Sequence, residues 1–127
     1  MTDRGPLVFV TQSLVKHDLS GLGAYGGTRE IFHRSIYPDE AVSFMPTATS
    51  RARRILLDEG FDPGTDFIAL VGDPALIAVV AAAASRMFPE RRITYLKYDK
   101  VSNGYYRIIV EPLVHPSRSS RPVFSQE

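Results

Sequence analysis

The sequence predicts an α/β fold: a single-domain mixed sheet in β-α-β-α-β-β order, with helices packed on it and a C-terminal β-hairpin. Three observations predict it. Short apolar runs rich in β-branched and aromatic residues, at 7–11 and 66–71, read as buried strands. Two helical stretches lie between such runs, and a helix crossover between strands implies parallel pairing with a right-handed connection. The runs 92–98 and 105–111 flank a turn ending in Asn103-Gly104, the signature of an antiparallel hairpin at one sheet edge.

After the strand at 7–11, residues 12–28 hold four glycines and no stable period, and so read as a loop with local turns. Residues 29–37 alternate and suggest a half-buried strand. Residues 41–45 suggest a second short strand, ended by Pro46, which cannot donate to a ladder. The first helix then starts from Thr47 or Thr49 as N-cap and carries Ala52, Ile55, Leu56 and Glu59 on one face. Gly60 stands where a left-handed C′ residue is wanted, with Pro63 beyond it. Asp73 caps a second helix with Pro74 at N1. That helix, 74–87, is apolar on every side for ten residues, so it is either sandwiched between layers or covered by a partner chain. Residues 1–111 form the expected domain. From Pro112 on, prolines, serines and arginines dominate and suggest a mobile tail over 112–127.

Composition bounds the function. The 127 residues fit one domain, since two stable cores would each need roughly 60 or more. Fifteen basic against fourteen acidic groups exclude a histone-like mass and an acidic DNA mimic. With no cysteine there is no disulfide framework, thiol catalysis or cysteine-built metal site. The ten-residue apolar run 75–84 is half a membrane span, and the N-terminal run 7–10 is too short for a signal sequence. A cytoplasmic protein without membrane partners is the expectation.

Four constellations carry possible chemistry. Gly21-Leu22-Gly23-Ala24-Tyr25-Gly26 matches G-x-G-x-x-G, but the strand before it ends too early, and Gly27-Thr28-Arg29-Glu30-Ile31-Phe32 after it reads as strand. A dinucleotide fingerprint needs a helix N-terminus there, so the match reads as a decoy. Gly72 and Asp73 mark a strand–helix junction where α/β sheets bind ligands, with a plain capping Asp-Pro as the preferred account. Arg51 and Arg54 share a helix face at i, i+3 and could clamp a phosphate, against a solvated face as the simpler account. Tyr95, Lys97, Tyr105 and Arg107 on the hairpin could stack bases and pair phosphates, although cross-strand aromatic pairs also stabilise hairpins unaided. His17, His33 and His115 have no metal-ligand spacing, and Asp18, Asp39, Asp66 and Asp73 could converge at one sheet edge as a magnesium site, although nothing in their spacing demands it. No catalytic motif, metal or cofactor is expected.

The strand ending Leu70-Val71-Gly72-Asp73-Pro74-Ala75, the alanine-rich helix, Tyr95-Leu96-Lys97-Tyr98-Asp99 and Tyr105-Tyr106 resemble small uncharacterised proteins of tailed bacteriophages and related mobile elements. The likeness spans the C-terminal half. It implies a phage-type origin, hence the host cytoplasm, and carries over no catalytic residue. The favoured function is a phage accessory protein that acts as a protein-interaction module and associates with itself. A host or phage protein is a further candidate partner. A nucleotide or phosphate binder or small hydrolase at Gly72-Asp73 is one alternative. A single-stranded nucleic-acid binder using the tyrosine hairpin and basic tail is the other.

Overall fold

Strand β1 (Leu7–Gln12) is buried at all six positions, which requires both faces of the sheet to be covered. It runs parallel to β2 (Gly27–Phe32) on one side and to β3 (Phe67–Ala69) on the other. β3 pairs in parallel with β4 (Ile93–Asp99), which pairs antiparallel with β5 (Gly104–Val110). The sheet order is β2-β1-β3-β4-β5, leaving β2 and β5 at the edges. The structure is a computed structural model that describes residues 4–13, 19–34, 39 and 41–114, with backbone alone at 41 and 42. The expected mixed sheet, parallel crossovers and terminal hairpin are all present.

Helix α1 (Ala41–Asp58) joins β2 to β3, and α2 (Pro74–Met87) joins β3 to β4. Both steps cross the sheet in the same direction, so right-handed connections place both helices on one face. There Phe9, Ile31, Ile68 and Tyr95 meet Ala48, Ala52, Leu56, Leu76, Val80 and Ala84. The β1–β2 connection steps the other way. Its 3₁₀ turn, Ser20–Ala24, covers the second face, where Leu22 packs with Val8, Val10, Ala69 and Leu96.

The first helix departs from expectation. Residues 41–45 are its opening turns rather than a strand, and Pro46 lies inside it. Phe44, Met45, Ala48, Ala52, Ile55 and Leu56 recur at helical spacing and pack on the sheet, and that stripe outweighs the bond Pro46 cannot donate. Thr49 is therefore not a cap. It is an interior residue whose hydroxyl donates to the Met45 carbonyl, 3.1 Å away. The C-terminus ends as expected: Gly60 has φ of 70°, Gly60 N donates to Leu57 O, and Phe61 N donates to Leu56 O at 2.8 Å. These two bonds are the Schellman pattern.

α2 has the expected cap, with the Asp73 carboxylate accepting from Ala75 N at 2.8 Å and Pro74 in the first turn. It is not enclosed all round, however. Leu76, Val79, Val80, Ala83 and Ala84 are buried, while Ala75, Ala78, Ala82 and Arg86 face outward. The exposed side consists mainly of alanine, so leaving it open costs little apolar area. β3 is shorter than the apolar run 66–71, because beyond it the backbone of Val71 bonds to the Thr11 side chain instead of a strand. β2 ends at Phe32, and the expected strand's last residues, 35–37, lie outside the described residues, as does the tail from 115.

Asp66, at the start of β3, ties the lower end of the sheet together. Its carboxylate is fully buried and accepts two bonds from the Arg4 guanidinium (2.9 and 2.7 Å), one from Leu7 N and one from Asp62 N.

Candidate functional site

In this strand order the direction of winding reverses between β1 and β3, and sheets of that kind bind ligands beyond the carboxyl ends of those two strands. Here the crevice is filled by the protein's own side chains. The Thr11 hydroxyl accepts from Val71 N at 2.9 Å and donates to Val71 O. Gln12 spans the remaining gap: its Oε1 accepts from Asp73 N and its Nε2 donates to Arg34 O, both at 2.6 Å. Gly72 makes room for this bridge. It has φ of 100°, and a Cβ there would overlap the Gln12 amide. Two of the N–H groups at the start of α2 are thus already bonded, Asp73 N to Gln12 and Ala75 N to Asp73. An anion docking there would have to displace its own protein's acceptors.

The other candidate residues sit elsewhere. Arg51 and Arg54 lie in the middle of α1 rather than in its first turns, away from the N-terminal dipole. Arg51 donates from Nε to Ile31 O at 2.7 Å, which fastens α1 to β2. Arg54 is exposed beside Arg53, Thr49, Ser50 and Leu57 in an open cleft of mixed polarity. Gly21 and Gly23 lie in the 3₁₀ turn, which leads into β2 and not into a helix. Gly26 is required by backbone contact, because a Cβ there would overlap the Pro6 carbonyl. His33 makes a surface pair with Glu30 at 3.5 Å. Asp66 and Asp73 lie at opposite ends of β3, and no group of metal-ligating side chains forms among the described residues.

The four hairpin residues divide between the two faces of the sheet. Tyr95 is buried in the core beneath the helices, where burial pushes its hydroxyl up against the opposing effect of a Ser85 hydrogen bond. Lys97, two residues on, shares that face. Tyr105 and Arg107 lie on the other face. Tyr105 stacks edge-on against its cross-strand partner Tyr98 at 5.2 Å, and the Arg107 guanidinium sits 5.4 Å from Phe67 and 5.5 Å from Tyr25. The four therefore do not form one stacking surface.

The feature that remains unaccounted for by internal packing is the β5 side of the molecule. Among the described residues, eight large apolar side chains are exposed, and five of them, Tyr106, Ile109, Val110, Leu113 and Val114, lie on β5 or just after it. No helix covers β5. Instead an open groove of ≈ 530 Å³ runs between α2 and the hairpin, lined by Ile77, Ala81, Ala82, Tyr95, Ile108 and Leu113 among others. The opposite edge differs: β2 presents Arg29, paired to Glu59 at 3.0 Å, and Glu30. Charged edges resist pairing with another strand, whereas apolar ones invite it.

A family model described as Phage Pam3 gp32-like protein matches residues 6–112. The chain belongs to that family. The matched stretch takes in every strand and helix from β1 to β5, so the whole sheet, with the apolar β5 edge, lies within the family's domain. The phage origin implied by the strand–Gly-Asp-Pro-Ala–helix–hairpin pattern agrees with this membership. No curated protein and no solved structure matches the chain. No helix among the described residues is long and apolar enough to cross a membrane.

Sequence reasoning missed Thr11, Gln12 and the β5 edge. Thr11 and Gln12 stand out only once strand order is known, because their partners are some sixty residues away in sequence. The edge had a signal: Ile108-Ile109-Val110 is an unbroken apolar triplet, so strand alternation gives both faces of β5 an apolar side chain.

Proposed function

We propose that this phage protein acts through protein–protein contact, and that its partner is a second copy of itself. The supporting observation is the concentration of exposed apolar side chains along β5 and its flanking groove, at a sheet edge whose strand carries a single charged residue, Arg107. A patch of this kind on a soluble domain marks an interaction surface. The occupied switch-point crevice and the divided hairpin residues leave the ligand-binding and nucleic-acid alternatives without comparable support.

Light scattering at micromolar concentration tests the reading. The expected mass is a multiple of 14.1 kDa. Ile109→Glu, on the edge, and Ala82→Glu, on the exposed side of α2, are expected to shift it to one copy while circular dichroism stays unchanged. A single-copy mass for the unaltered chain, with Ala82→Glu soluble and folded, contradicts it.

A further inference from the structure

We infer that two copies join through β5 as antiparallel neighbours about a two-fold axis through Ile109, extending two five-stranded sheets into one of ten. This rests on the self-association reading above and adds its register.

A two-fold contact between identical strands is self-complementary, so a residue and its opposite number exchange roles across the axis. In a continuous antiparallel sheet the axis stands perpendicular to it, and side chains on one face meet only side chains on that face. On β5, Arg107 and Ile109 share the face of the 3₁₀ turn, and Ile108 and Val110 face the groove beneath α2. Glu111, the residue after β5, borders the same cleft as Ile109 and Thr94, and so lies on that face.

Each possible centre then gives a definite pairing. An axis through Arg107 opposes two guanidinium groups, which like-charge repulsion disfavours. An axis through Ile108 leaves Arg107 opposite an isoleucine. An axis through Tyr106 sets Ile109, which is 55% exposed, opposite Asn103 in the partner's turn. An axis through Ile109 pairs Arg107, once its guanidinium turns outward from Tyr25 and Phe67, with Glu111 of the partner subunit, twice by symmetry. It also stacks Ile109 on the partner's Ile109 and sets Ile108 beside Val110 of the partner subunit. Of these four centres, Ile109 is the one that matches both charge and apolar surface. Glu111 already holds Arg92 at 3.2 Å, so each end of the contact becomes a cluster of one carboxylate between two guanidinium groups. On the helix face, the floors of the two grooves meet along Ile108 and Val110.

Because the chain has no cysteine, single substitutions read the register directly. Directly opposed strand residues have Cα atoms about 4.5–5.5 Å apart, within disulfide reach, whereas residues two positions out of register lie beyond it. Ile109→Cys is expected to oxidise to a covalent dimer on a non-reducing gel. Ile108→Cys, and Val101→Cys in the exposed turn as a collision control, are expected to lag well behind it. Arg107→Glu is expected to raise the dimer dissociation constant about tenfold or more, and adding Glu111→Arg to restore it. If light scattering still reads a dimer but Ile109→Cys links no faster than Val101→Cys, or the double reversal fails to restore association, this register is wrong and self-association stands. If the unaltered chain is a single copy, both are overturned.

Discussion

Asp66 shows how much one buried carboxylate can hold. Burial alone would raise its pKa, but the Arg4 hydrogen bonds, the N–H groups of Asp62 and Leu7 and the Arg4 charge together bring it below the ordinary aspartate range. A folded-state pKa below the unfolded one contributes stability above the unfolded value of about 3.9, and that stability is lost as pH falls through the folded value. Denaturant titrations are expected to show stability falling below about pH 4, and Asp66→Asn to flatten that fall. At neutral pH, Asp66→Ala is expected to cost about 3 kcal/mol, because the N–H groups of Leu7 and Asp62 lose their acceptor. An unchanged denaturation midpoint in Asp66→Ala contradicts this. Gly72 gives a second case. Its φ of 100° and the Gln12 amide against its Cα exclude a side chain, so Gly72→Ala is expected to destabilise by about 2–4 kcal/mol, measured the same way. Gly72 was legible in the sequence as a residue at which something approaches the backbone. What approaches, Gln12 rather than a ligand, was not, because that depends on β1 and β3 being neighbours.

At the scale of elements, α1 is decided by a conflict between a local rule and a tertiary stripe. Pro46 leaves the Val42 carbonyl without its i+4 donor, and yet the helix runs through it because Phe44, Ala48, Ala52 and Leu56 bury one continuous face. Pro46→Ala is therefore expected to stabilise the protein by about 2 kcal/mol, the helix-interior cost of proline less its ordering of the unfolded chain. A loss of stability would mean that Pro46 is needed where it stands. The same stripe is visible in the sequence, and reading it instead of the proline would have placed the helix start correctly. Other boundaries were legible because their chemistry is local. Asp73-Pro74 starts α2, and Gly60 with φ of 70° ends α1. In the hairpin turn the Asp99 carboxylate accepts from Val101 N, Ser102 N and the Ser102 hydroxyl. Burial on all sides of α2 was not a local property. Its outer face is alanine, and whether that face is covered depends on what else the fold places there.

For the whole molecule, the order β2-β1-β3-β4-β5 determines which surfaces are finished and which are open. The parallel strands β2, β3 and β4 and the antiparallel hairpin follow from alternating elements, so that part of the architecture was legible, whereas the place of β1 between β2 and β3 was not. The candidate site was less so, because the residues with chemical promise are either consumed by internal bonds, as Arg51, Gly72 and Asp73 are, or set on opposite faces, as Tyr95 and Arg107 are. What the fold leaves open is β5, where the chain places isoleucine, valine and tyrosine at an edge that β2 guards with charge on the other side. Hydrogen–deuterium exchange across a dilution series tests this asymmetry most directly. The peptide covering β5 is expected to gain amide protection as concentration rises, with no change in the peptide covering β2. Exchange at β5 that is the same at every concentration, or protection that grows at β2 instead, contradicts the account.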